Sequence, residues 1–73
     1  MTYALEQRLR LIDFLLASYG FVAPRQLVDF FSISKPQASL DFAMYNKTYP
    51  GNMVYAHSVL NWQATAAFKR AYP

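Results

Sequence analysis

One stretch constrains the fold more than any other: Ser34-Lys35-Pro36-Gln37-Ala38-Ser39-Leu40-Asp41-Phe42-Ala43-Met44-Tyr45-Asn46-Lys47, which carries helix signals at both ends. Ser34 suits an N-cap, its hydroxyl accepting from a free N–H of the first turn, and Gln37 three residues later completes a capping box. Pro36 gives up an N–H that would have had no partner in the first turn. Tyr49-Pro50-Gly51 cannot continue the helix, because Pro restricts the residue before it and Gly favours a left-handed exit. The spacing predicts a helix over about 35–48. At about 100° per residue, Ala38, Phe42 and Tyr45 share one face with Asp41 at its edge. Pro36, Leu40, Ala43 and Lys47 lie opposite, and Lys35, Gln37 and Ser39 flank the first turns. Small and polar groups presented near a helix N-terminus suit major-groove reading, although a plain amphipathic helix has the same pattern.

Upstream, residues of about 2–19 read as helix 1. Leu5, Leu9, Ile12, Leu16 and Tyr19 repeat at alternating spacings of four and three, drawing one apolar stripe. Glu6 and Arg10 form an i,i+4 pair with the acid first, the better orientation. Leu11, Phe14 and Leu15 widen the stripe beyond what a small domain covers, which fits either a broad core face or a dimer contact. Gly20 ends the helix, and Phe21-Val22-Ala23 has room for one brief strand. Pro24 opens helix 2, about 24–31, with Leu27 and Phe31 inward and Arg25 near its N-terminus. In the turn Ser32-Ile33-Ser34, Ile33 is placed to plug the angle between two helices, the helix-turn-helix arrangement.

After the third helix, Met53, Tyr55 and His57 alternate with Val54 and Ala56, which suits a strand with one buried face. Ser58-Val59-Leu60-Asn61 reads as a turn and Trp62-Gln63-Ala64 as the returning strand, a wing of about 53–64. Residues 65–73 have no clear periodicity and carry Lys69-Arg70. The expected fold is mostly α with a small β-hairpin, a winged helix-turn-helix of three helices plus a two-stranded wing, forming one domain over 1–73. Leu9, Ile12, Leu16, Leu27, Phe31, Ile33, Ala38, Phe42, Tyr45, Tyr55 and Trp62 are expected to form its core.

Seventy-three residues are near the lower limit for a self-sufficient core, and no Cys is present to staple it. A hydrophobic content of 55% with 18% aromatic residues excludes the disordered class and points to a partner or a second copy. No run approaches the roughly 18 uncharged apolar residues of a membrane span. Glu6, Arg8, Arg10 and Asp13 interrupt the N-terminal pattern, so it is not a signal peptide, and a soluble cytoplasmic protein with no membrane partner is expected. The net charge is +3, and no acid follows Asp41, whereas Lys47, Lys69 and Arg70 do, a balance that favours a polyanion. Enzyme function is not expected: there is one His, no Gly-rich phosphate loop and no nucleophile elbow. His57 has no carboxylate near it in sequence, no metal-ligand set exists, and no cofactor is expected. Asp41 reads as structural, holding a backbone donor or pairing with Arg25 or Lys35.

Several runs together resemble one family: Arg8-Leu9-Arg10-Leu11-Ile12-Asp13-Phe14, the stretch from Gln26 to Ser34, Pro36-Gln37-Ala38-Ser39 with Asp41, and Tyr49-Pro50-Gly51-Asn52-Met53-Val54-Tyr55. They are similar to the N-terminal winged-helix domain of WYL-domain transcriptional repressors found beside bacterial phage-defence operons, over almost the whole chain. The resemblance implies a homodimer that binds an inverted repeat in double-stranded DNA. Any effector ligand would be bound by a domain outside these 73 residues. The wing departs from the family, with His57 and Leu60 at positions that are often basic. Lys35, Gln37, Ser39 and Leu40 are the candidates for base reading, and Arg25, Ser34, Lys47, His57 and Asn61 for the DNA backbone. The competing function is a winged-helix protein-interaction module that does not bind DNA, for which the outward Leu40 speaks.

Overall fold

A computed structural model describes residues 2–73. Helix α1 runs Tyr3–Tyr19, capped by Thr2, whose side chain accepts from the Leu5 N–H, so Thr2 flanks the helix rather than opening it. Gly20 closes it with φ 82°, a left-handed conformation open to a residue without Cβ. Strand β1, Phe21–Val22, leads into α2, Pro24–Phe31. Ser32 is itself left-handed, and Ser34 then caps α3, Lys35–Thr48, accepting from the Gln37 N–H at 3.2 Å. Strands β2, Met53–Ala56, and β3, Asn61–Ala64, complete the chain order α1-β1-α2-α3-β2-β3.

The hairpin is larger than two strands. Val22 pairs with Trp62, so β1 joins an antiparallel sheet of order β1-β3-β2. Period-two alternation then puts Val22, Trp62 and Tyr55 in one row across its inner face. The turn also differs from the sequence reading. It spans residues 57–60, so His57 leaves the strand and Asn61 becomes the first residue of β3.

Leu9, Ile12, Leu16, Val22, Leu27, Ala38, Phe42, Tyr45 and Met53 form the buried core. Phe31, Ile33 and Trp62 pack against it half-buried, Tyr55 is half-buried as well, and Phe42 stacks on Trp62 at 5.8 Å between ring centroids. Tyr19 is a correction: it continues the α1 stripe in sequence but is exposed, because in the last turn of the helix it borders an open hollow with Leu11, Phe14 and Leu15 instead of the core.

The C-terminal segment has no regular structure yet is firmly placed. Asp13, fully buried, accepts from the Tyr45 hydroxyl at 2.6 Å, from Arg70 Nε at 2.9 Å and from the N–H groups of Ala71 and Tyr72. Asn52 donates to Tyr45 Oη and to the Lys69 carbonyl while accepting from the Lys69 N–H. Arg10 covers the Tyr72 ring at 4.8 Å. These contacts bind residues 69–72 to both α1 and α3.

Candidate nucleic-acid interface

Helix α3 buries Ala38, Asp41, Phe42 and Tyr45 and turns its other face to solvent. On that face Leu40 is 65% exposed, and Lys35, Ser39 and Lys47 are exposed too. The N-terminal half of α3 borders an open groove of about 640 Å³, whose walls include Arg25 of α2, Lys35, Ser39, Tyr55 of β2 and Leu60 of the hairpin turn. A second hollow continues it past Ser39, Phe42, Tyr55, His57 and Trp62. Three stretches of the chain, α2, α3 and the hairpin, thus meet beside the start of α3, with Lys35 and Arg25 supplying positive charge. Lys47 stands apart at the far end of the helix, in its last turn.

Arg25 pairs with Asp29 one turn on at 3.5 Å, both being highly exposed, so water and salt screen the pair and it adds little stability. His57 is exposed and meets the Tyr55 ring edge-on at 4.8 Å. Asn61 is half-buried at the start of β3, and its Oδ1 is buried with no hydrogen-bond partner among the described residues. Leu60 adopts φ 54° at the tip, an uncommon conformation for a residue with Cβ, and is 67% exposed.

Two side chains of α3 differ from the sequence reading. Gln37 does not complete the capping box. Its Nε2 donates instead to Asp41 Oδ1 at 3.0 Å, and the half-buried side chain lies along the α1 side of the helix. Asp41 is structural, but its partner is Arg8 of α1, at 2.6 Å from Nε to Oδ2, and neither Arg25 nor Lys35. The interhelical packing explains this: Arg8 is 15% exposed beside Asp41, whereas Arg25 and Lys35 open onto the groove. Arg8 and Asp13 were missed as tertiary anchors. Asp13 follows Leu9 by four residues and precedes Leu16 by three, which puts it on the apolar stripe and signals a buried carboxylate.

Three helices, a helix-turn-helix between α2 and α3, and a hairpin beside the exposed start of α3 define a winged helix-turn-helix domain. The family described as the BrxR transcriptional regulator winged helix-turn-helix domain matches residues 4–72, and the chain belongs to that family. It is 42% identical over 67 residues, 92% of its length, to the DNA-binding transcriptional repressor CapW of Escherichia coli strain KTE188, where the match covers 22% of the relative. The corresponding CapW of Pseudomonas aeruginosa is 41% identical over 93% of this chain and 23% of its own. That of Stenotrophomonas maltophilia is 38% identical over 86% of this chain and 21% of its own. The chain thus spans about a fifth of the length of these relatives. The likeness to a repressor's winged-helix domain, drawn from the runs around Arg8, Gln37 and Pro50, is borne out.

Proposed function

We propose that the chain is the operator-reading domain of a bacterial transcriptional repressor, and that α3 enters the major groove of double-stranded DNA. Lys35, Gln37, Ser39 and Leu40 face base edges in this reading, with Leu40 against a thymine methyl group. Arg25, Ser34, Lys47, His57 and Asn61 serve the sugar–phosphate backbone. The observation that carries the reading is the exposed N-terminal half of α3, set between Arg25 on one element and the hairpin turn on another. It is the part of the surface where a helix, a neighbouring helix N-terminus and a wing can touch one duplex together.

Two copies read an inverted repeat, with half-sites about one helical turn or a multiple apart. The partly covered second face of α1, with Phe14 exposed beside the half-buried Leu11 and Leu15, supports self-association. An effector-binding WYL domain elsewhere in a longer polypeptide and a role beside phage-defence genes follow in this reading from the family resemblance. The greater length of the CapW repressors, of which this chain matches about a fifth, is in keeping with it. Gel-shift titration against random duplex at low salt is the first test. Binding that weakens steeply with salt is expected. A chain that ignores every duplex but still associates with protein would favour the protein-interaction alternative.

A further inference from the structure

The amide of Gln37 is held by its surroundings. Its Nε2 donates to Asp41 Oδ1, one turn along α3, at 3.0 Å. Asp41 is 1% exposed, and Arg8 of α1 clamps both of its oxygens, Nε to Oδ2 at 2.6 Å and Nη2 to Oδ1 at 3.2 Å. A fork-to-fork guanidinium–carboxylate pair fixes the carboxylate plane as well as its place. An ionised carboxylate only accepts hydrogen bonds, so the end of the Gln37 amide that faces it must be the nitrogen. Among the described residues no donor is bonded to Gln37 Oε1. That oxygen and the second amide N–H are left for a group outside the protein.

We propose that Arg8 and Asp41 are specificity-determining positioning residues: by holding the Gln37 amide nitrogen inward, they fix the edge that α3 offers to a base. That edge is one acceptor beside one donor, which matches adenine N6–H and N7, whereas guanine presents two acceptors, N7 and O6, and suits a donor-only edge. The inference rests on the DNA-reading role proposed above for α3. Arg8 and Asp41 act through Gln37. In Asp41→Asn the remaining oxygen stays against Arg8 Nε, the shortest contact, and the new NH2 group faces Gln37. The Gln37 amide then inverts to offer its own oxygen inward and NH2 outward.

The test selects sites for the 73-residue chain from a randomised duplex pool, then titrates the selected duplex and its single-base variants. The parent should favour adenine at one position per half-site by about 5- to 150-fold, the range of a bidentate contact, and Gln37→Ala should abolish that preference. Asp41→Asn should cut it at least about fivefold or turn it toward guanine, with affinity for unrelated duplex within about twofold of the parent. Arg8→Lys, which keeps the charge but loses the fork, should relax the same position and carries the test if Asp41→Asn melts too low to measure. An adenine preference lost in Gln37→Ala but intact in a folded Asp41→Asn or in Arg8→Lys overturns the inference and leaves the reading of α3 standing. Equal loss on every duplex in these variants also overturns it, since that is what a merely structural pair produces. An unchanged profile in Gln37→Ala removes Gln37 from the reading set and the inference with it.

Discussion

Asp13 carries more of this molecule than any other polar side chain. Burial alone pushes its carboxyl up, but hydrogen bonds from Tyr45, the Ala71 amide, Arg70 and the Tyr72 amide together outweigh burial and hold it below the ordinary value. Asp13→Asn sets an NH2 group among these donors, and leaving buried donors without an acceptor costs about 1–3 kcal/mol. Its chemical denaturation midpoint should fall accordingly, with the slope unchanged. Phe42, 1% exposed and stacked on Trp62, tests the facing of α3. Phe42→Ala should cost about 3–5 kcal/mol, and melting within a degree or two of the parent would refute that facing. For DNA, Gln37→Ala should weaken a selected site more than random duplex. Lys47→Ala should weaken both alike and reduce the salt slope by about one unit.

Helix α1 has two apolar faces, one fully buried in the core and the other covered only in part, by the half-buried packing of Leu11 and Leu15. Leu9, Ile12 and Leu16 are buried, while Leu11, Phe14, Leu15 and Tyr19 line an open hollow against Phe30 of α2, itself 70% exposed. Water against that much aromatic surface is unfavourable, and covering it with a second copy would close this hollow on each copy. Sedimentation at micromolar concentration should therefore show dimers, at least on DNA, and Phe14→Ser with Phe30→Ser should shift the balance toward monomer. A parent that stays monomeric and binds one copy per site would sink the dimer. The wing uses a different kind of surface. Its turn exposes Leu60, which with His57 stands where the family resemblance implies basic residues, so any phosphate contact from this element falls to His57 and Asn61.

Because residues 69–72 are tied to α1 and α3 by ionisable groups, the stability of the molecule depends on pH at both ends of the scale. Asp13 has a folded-state pKa below its usual 3.8, so its contribution is present above that value and is lost as pH falls through the folded value. Thermal melting followed from about pH 5 down to about pH 2 should show this loss, and Asp13→Asn should flatten it. At the alkaline end, burial and the hydrogen bond shared with Tyr49 push the Tyr72 hydroxyl up to about 12. A raised pKa gives stability that is complete below the ordinary 10.0 and is lost as pH rises toward about 12. Tyr72→Phe should remove part of that alkaline loss, and an unchanged profile would mean that Tyr72 stays as ionisable in the fold as in the open chain. No helix among the described residues is long and apolar enough to cross a membrane.

Local signals determined the elements. Ser34, Gly20, Pro24 and Pro50-Gly51 act within a few residues of where they stand, through N–H groups that need a cap and φ values that only some residues adopt, so they are legible in order along the chain. The α3 core face was legible for the same reason: one helical period relates Ala38, Phe42 and Tyr45 whatever packs against them. Choices between equivalent distant partners were not. Asp41 can accept from any cation, and only the packing of α1 on α3 selects Arg8, 33 positions away, over Arg25 and Lys35. Gln37 has a cap three positions before it and a carboxylate four after it, and the clamped carboxylate takes its nitrogen. Residues 69–72 lack any period because their order comes from Asp13 and Asn52, bonds that span up to 59 positions and exist only once α1, α3 and the sheet have closed on one another.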